Sequence, residues 1–293
     1  MNTRAEQATK AIQSLRALRR KWVTIRRALV VPLILALPPL FWVIDATNRA
    51  SLTTLGRDQG IFQYVAWALQ HGAVDYRDVR DVNGPLTHLV HLVLLQFGGA
   101  DEHRFRVLDL TITGLGFAFA GACLPGVLRK KVLWVERLAW AFAAWVVLSG
   151  QLLMYLYWDL AQRESFFDWF MLSGVALQLV AQRRLAKRST ASVAGLAGAG
   201  AAGATDPSLR ETFLRAWPLA LAGALGAIPW FGKPTYVLFT LAQLAALGLD
   251  DELLLSQKRR FAVFAAGAAA GAATQILFLV VYADIGEIGR AHV

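Results

Sequence analysis

The chain is short of the residues that soluble enzymes use most freely. Only 17% of its 293 residues are charged, and acids are the scarcer sign, 20 Asp and Glu against 30 Lys and Arg. A single cysteine, Cys123, excludes an intrachain disulfide and a thiolate zinc cluster, and gives no clue to redox compartment. The first apolar run is not followed by a small-residue cleavage site, so it reads as a retained span and not as a cleaved signal peptide. What is abundant is apolar: 56% of the chain, with ten Trp and a mean hydropathy of +0.45. Disorder and an all-β soluble fold are therefore both excluded. Several runs of roughly 17 to 22 residues are each long enough to cross about 30 Å of hydrocarbon as a helix. The expected fold is all-α, a polytopic transmembrane bundle.

The net charge of +10 raises the question of nucleic acid, and the positions of the charges answer it. Residues 1–28 carry eight bases (Arg4, Lys10, Arg16, Arg19, Arg20, Lys21, Arg26, Arg27) and one acid, Glu6, directly before an apolar run. That is the pattern of a basic flank held on the cytoplasmic side of a membrane, not of a nucleic-acid arm.

Apolar windows predict seven spans, at 29–44, 105–125, 132–150, 165–181, 216–232, 234–249 and 261–282. With the N-terminus inside, the clusters Arg129-Lys130-Lys131, Arg183-Arg184-Lys187-Arg188 and Lys258-Arg259-Arg260 all fall on the cytoplasmic face. The localisation that follows is integral to a membrane, multi-pass, with the N-terminus cytoplasmic. The outer face receives 45–104, 151–164 and the break Gly232-Lys233-Pro234. From Asp45 to Arg106, the first of these and the two residues after it, there are seven acids and six bases, and a loop of that length and polarity is where function is expected. Residues 190–205, rich in Ala, Gly, Ser and Thr, read as a flexible linker. The last seven residues, 287–293, break abruptly from the apolar run before them and match the translation of a common sequencing adapter. On that reading the transmembrane domain, 29–286, is the N-terminal part of a longer protein.

Within the long outer loop, Asp58 and Gly60 mark a helix start. Ile61, Val65, Ala68 and Leu69 then share one stripe, as in a helix lying in the membrane interface. A Gly- and Pro-bracketed stretch of alternating acids, bases and aromatics follows, from His71 to Leu86. His88 and His91, three apart with His71 and His103 nearby, suggest a metal, but no cysteine or tight His-Glu pattern completes a ligand set. Arg104, Arg106 and Asp109, at the top of the second span, are expected to form an ion pair that fixes that helix. Trp140, Trp145, Tyr155, Tyr157 and Trp158 fit an interfacial aromatic belt.

The ordered set Asp58-Gln59-Gly60, Tyr64, His71-Gly72, Tyr76-Arg77-Asp78, Asp81 and Gly84-Pro85-Leu86 resembles the first outer loop of membrane glycosyltransferases of the GT-C fold. That group includes the protein mannosyltransferases, the aminoarabinose transferases and the RgtA/B/C/D-like proteins. Gln162-Arg163-Glu164 resembles a motif of their second outer loop, and Phe231-Gly232-Lys233-Pro234 resembles a later hairpin break. The chain departs from the pattern at Gln59, where Glu is common, and at Gly84, where Pro is common.

The resemblance implies transfer of a sugar from a polyprenyl-phosphate donor to a lipid, glycan or protein acceptor at the outer face of a bacterial inner (plasma) membrane. Such transfer needs a carboxylate to take the acceptor's proton and cations to balance the leaving phosphate. The resemblance makes Asp58 the base, with Glu164 as a second carboxylate positioning the acceptor or a divalent cation, the one cofactor left open. Arg163 and Lys233 would face the donor phosphate, and Gln59, Tyr64, Asp78, Asp81, Asn83 and Gln162 would complete the substrate site. Each residue also has a plainer role: Asp58 as a helix cap, Glu164 as a surface ion-pair partner, Arg163 and Lys233 as snorkelling anchors, and Asp78, Asp81 and Asn83 as loop-internal hydrogen-bonding groups. A transporter or flippase of lipid-linked sugars, or an inactive membrane scaffold, are the competing classes.

Overall fold

The computed structural model describes residues 3–79, 81, 83–128, 132–154, 163–196, 209–249, 256–284 and 286. Among the described residues the architecture is all-helical. The elements are α1 (Thr3–Leu52), α2 (Arg57–Gln70), α3 (Pro85–Gly98), α4 (Glu102–Leu128), α5 (Trp134–Leu153), α6 (Arg163–Leu196), α7 (Leu209–Ala227), α8 (Val237–Gly248) and α9 (Gln257–Tyr282). Two 3₁₀ turns, Ile228–Phe231 and Pro234–Tyr236, lie between α7 and α8. Each of the seven apolar windows falls on one of these helices. Three stretches, Trp22–Leu52, Glu102–Val127 and Gln257–Tyr282, are long and apolar enough to cross a membrane. At 12 residues α8 reaches only about 18 Å, short of the roughly 30 Å of hydrocarbon.

Two boundaries differ from the sequence expectation. The basic flank 1–28 is not separate from the first span, since α1 runs unbroken from Thr3 to Leu52 through Pro32, Pro38 and Pro39. Proline is tolerated there because membrane helices can satisfy the freed carbonyls in other ways. The expected linker at 190–205 is helical up to Leu196, where α6 ends. The segment 287–293 lies outside the described residues.

Burial along α1 is one-sided. Ala28, Ala36, Val43, Ala46 and Ala50 are buried at spacings of about one or two turns, while Ile34, Phe41 and Ile44 between them are exposed. The buried stripe meets Ala143 and Val146 of α5. The long helices then follow a packing order of α1, α5, α4, α6, α7 and α9. Small residues set the closest approach: Gly267 and Gly271 of α9 lie directly on the backbone of Ala220 and Ala224 of α7, where any side chain would collide with a carbonyl. This is the small-residue contact by which helices associate where no water drives them together.

The α2–α3 hairpin caps one end of this row, touching α4, α6, α9 and the first 3₁₀ turn through α3. Helix α3 opens at Pro85 after an extended Gly84, a favourable N-terminal arrangement. Nine of its residues are buried, and its exposed side carries Val93, Gln96 and Phe97, so it presents no continuous polar stripe. Its 14 residues span about 21 Å, too short to cross. The chain after α9 returns to this end, where Asp75 N–H donates to the Tyr282 carbonyl (2.7 Å) and Asp284 N–H to the Asp75 carbonyl (3.1 Å). The C-terminal end of α9 and the loop before α3 are thereby tied together.

Candidate functional site

Segments far apart in sequence converge beneath the cap. Leu55, just before α2, packs in one apolar cluster with Leu86 and Val90 of α3, Phe105 of α4, Phe166 and Phe167 of α6, and Phe231 and Tyr236 of the 3₁₀ turns. The expected site residues flank that cluster along the chain: Asp58 follows Leu55, Asn83 precedes Leu86, Glu164 precedes Phe166, and Lys233 follows Phe231. Gly84 explains itself here. A Cβ on it would strike the carbonyl oxygen of Phe231 and come within 3.0 Å of that of Gly232. The missing side chain lets the loop before α3 lie against the break that carries Lys233.

Asp58 is exposed in the first turn of α2, where the positive end of the helix dipole favours a carboxylate. Its neighbour Gln59 is fully buried. Gln59 Oε1 accepts the Gly56 N–H at 2.9 Å, closing the helix start, and also the Arg106 Nη2–H at 2.7 Å. Arg106 donates as well to the Thr54 carbonyl at 3.3 Å. Both Arg106 and Asp109 are fully buried in α4, and they attract one another electrostatically. Gln59 is thus a hinge pin between α2 and α4.

The loop 71–84 holds a second buried polar unit. His88 and Asp75 are both wholly buried. His88 Nδ1 lies 2.7 Å from Asp75 Oδ2, and its Nε2 lies 3.0 Å from Asp81 Oδ2. An imidazole can donate from both nitrogens only when protonated, so this arrangement is an imidazolium between two carboxylates. Burial opposes the charge, but the hydrogen bonds to Asp75 and Asp81 outweigh it and push the His88 pKa up to about 9. Asp81 shows the reciprocal effect: burial works against its ionisation, yet His88 and the amide of Asn83 hold its pKa below the usual carboxylate range. Asn83 Nδ2–H donates to Asp81 Oδ1 at 2.9 Å.

Tyr76 completes the loop at φ +64°, a left-handed conformation that costs a bulky residue of the order of 1–3 kcal/mol. Its hydroxyl donates to the Asn83 carbonyl at 2.9 Å, and its N–H to Asp75 Oδ1 at 3.0 Å. Burial first, then the charges of Asp75 and Asp81, raise the pKa of that hydroxyl, so it stays a donor.

The remaining expected residues divide. Asp78 is exposed and bonded to Arg77 (2.8 Å) and to the Val74 N–H (2.9 Å), which bring its pKa down to about 2. Tyr64 lies on the exposed face of α2, stacked on Trp67. Lys233 is half-buried at the break between the 3₁₀ turns. Arg163 and Glu164 open α6, with side chains outside the described set, and Gln162 lies outside the described residues.

Sequence reasoning missed Asp75 altogether and weighed His88 only as a metal ligand. Both nitrogens of His88 are occupied by carboxylates, so it has no lone pair for a metal. His91, its supposed companion, faces Gln63 Oε1 (3.1 Å) and stacks on Phe105. Among the described residues no group of three or more His, Cys, Asp or Glu side chains is arranged to hold a metal ion. No family model, curated protein or solved structure matches the chain.

Proposed function

We propose that the protein is a seven-span inner-membrane glycosyltransferase of the GT-C type, with its N-terminus cytoplasmic and the α2–α3 cap outside. It moves a sugar from a polyprenyl-phosphate donor to a lipid, glycan or protein acceptor. In an inverting displacement the acceptor oxygen bonds to the anomeric carbon and the bond from that carbon to the phosphate oxygen breaks. Asp58 takes the acceptor's proton, and polyprenyl phosphate leaves with the charge balanced by Arg163 and Lys233. Glu164 positions the acceptor, with or without a divalent cation.

The observation that carries this reading is the apolar cluster joining Leu55, Leu86, Phe166 and Phe231. The motifs that resemble the family are spread over some 180 residues of sequence, yet they flank a single cluster at one end of the helices. All the basic clusters with described helices around them, at the C-terminal half of α6 and the start of α9, belong to the opposite end, as the positive-inside rule requires for an outer cap. A groove of about 440 Å³ between α1, α4 and α5, lined by Leu110, Leu115 and Trp145 and reaching Ser51 near the cap, has the apolar lining that an isoprenoid chain needs.

The transporter reading draws on Arg106 and Asp109, ionisable and buried within α4. Arg106, however, is four residues from the start of α4, about 6 Å deep, and it bonds to the cap rather than lining a mid-membrane passage.

The test is donor turnover. The protein in membranes is offered a panel of polyprenyl-phosphate sugars, and release of polyprenyl phosphate is followed. Asp58→Asn is expected to lower release by at least about 100-fold at equal protein level. Undiminished release by that variant, or none from any donor by the wild type, would defeat the proposal.

A further inference from the structure

The end of the helices opposite the cap holds a feature that sugar transfer does not use. Between α4, α5, α6 and α7 lies a cavity of about 360 Å³ whose lining includes Arg137, Arg183 and Arg184 but no acidic side chain. That volume is in the range of small-molecule sites, about 300–1,000 Å³. Three guanidinium groups around one cavity repel each other unless an anion joins them. Glu136, next to Arg137 in sequence, is buried and is not part of the lining. Among the described residues none of the three arginines forms a salt bridge.

The site is also built. Arg137 donates one Nη1–H to the Ala122 carbonyl at 2.9 Å, which fixes the group, and among the described residues its other donors are left for another partner. Its guanidinium lies against Gly126, where a Cβ would meet Nη2 at 3.0 Å. The glycine makes the space in which the fork lies. The rest of the wall is apolar, with Leu177 and a half-exposed Trp217. In the sequence Arg129-Lys130-Lys131 follows α4 directly, and Lys187 and Arg188 lie four residues beyond Arg183 and Arg184.

A ligand for this cavity needs a phosphate-like anion for the arginine forks and an apolar part for the opposite wall. We propose that it binds the phosphate headgroup of an anionic phospholipid from the bilayer leaflet at this end, with the acyl chains leaving past Trp217. Basic pockets between membrane helices favour such headgroups. The inference does not depend on the glycosyltransferase reading, since it uses no residue of the cap.

Cys123 lines the same cavity and is the chain's only cysteine, so alkylation by a small neutral maleimide reports access to it. The full chain is placed in nanodiscs of phosphatidylcholine alone, or with about a third phosphatidylglycerol, and alkylation is followed by intact mass. The anionic lipid is expected to slow alkylation. The double substitution Arg183→Gln, Arg184→Gln is expected to weaken lipid binding on the order of 30-fold, from about 1 kcal/mol per base at about 1.4 kcal/mol per tenfold, and so to abolish protection. Lys258→Gln, an exposed base of α9 outside the cavity, keeps it. Inorganic phosphate in neutral nanodiscs is expected to give no protection, and equal protection by it would replace the lipid with a free anion. Equal rates in the two bilayers, or protection that survives in the double variant, would overturn the proposal. If Cys123 proves unreactive in neutral lipid, native mass spectrometry counts the phosphatidylglycerol retained by the same variants, with retention unchanged in the double variant as the refuting result.

Discussion

Removing the imidazolium from the cap gives the sharpest test of its architecture. His88→Gln keeps the approximate length and polarity of the side chain but offers an amide with one donating end and one accepting end. One of the two carboxylates, Asp75 or Asp81, then faces an oxygen. The rise of the His88 pKa from 6.5 to about 9, at about 1.4 kcal/mol for each tenfold, corresponds to about 3 kcal/mol of coupling between protonation and folding. Because the folded-state value lies above the unfolded one, this stabilisation is complete below about pH 6.5 and is lost as pH rises through about 9. Wild type should therefore lose stability across that window, and the variant should be less stable at pH 6 yet converge on wild type above pH 9. Hydrogen exchange over residues 72–84, with thermal unfolding in nanodiscs from pH 6 to 10, measures both the local and the global effect. Taking the difference between the two proteins cancels the other titrating groups. A difference that stays constant across the window would refute the buried imidazolium.

The junction between α2 and α4 gives a second prediction: Gln59→Ala removes the helix-closing acceptor and the partner of Arg106 together, and is expected to cost about 3 kcal/mol. Gln59→Glu, which restores a charge-assisted bond to the same guanidinium, should stay within about 1 kcal/mol of wild type; thermal unfolding of the two side by side decides it, with equal losses the adverse result. At the other contact, Gly84→Ala drives a methyl group into the Phe231 carbonyl and should cost about 1–3 kcal/mol, read by the same measurement, whereas a neutral outcome would mean the loop does not lie on the 231–232 backbone.

Helix positions were legible in the sequence because long apolar runs leave few alternatives, and each window from 29–44 to 261–282 falls on a helix. Helix α3 was harder to see as an element in its own right. Its 14 residues are too few for a membrane window, and its exposed side, with Val93 and Phe97 beside Gln96, lacks the periodic polar face that would mark it. The number of crossings is likewise underdetermined by periodicity: α8 is apolar but about 18 Å long, so hydropathy alone does not decide whether it crosses. The partnership of Asp75 with His88 spans thirteen residues, and that of Gln59 with Arg106 spans forty-seven. No local spacing rule reaches such pairs. At the top of the second span, where an ion pair was expected, Arg106 and Asp109 are both buried and attract one another, while the shortest hydrogen bond of Arg106 goes to Gln59.

The two buried polar units explain why the cap is not built from apolar residues alone. Apolar packing would hold α2 and α3 against α4 and α6 with little preference for register, since Leu and Phe contacts tolerate sliding. The bond that Arg106 donates to Gln59 Oε1, and the two bonds from one imidazolium ring, are directional and lose most of their worth on small displacements. They therefore fix the rotation of α2 about its axis and the path of the loop from Asp75 to Asn83. Fixing α2 also fixes where Asp58, one residue before Gln59, presents its carboxylate. The departure at Gln59 is consistent with this division of labour, because a neutral acceptor serves the register without adding a buried negative charge near Asp109. Asp58 itself stays exposed at the start of α2, while Asp75 and Asp81 are spent on holding the loop through His88.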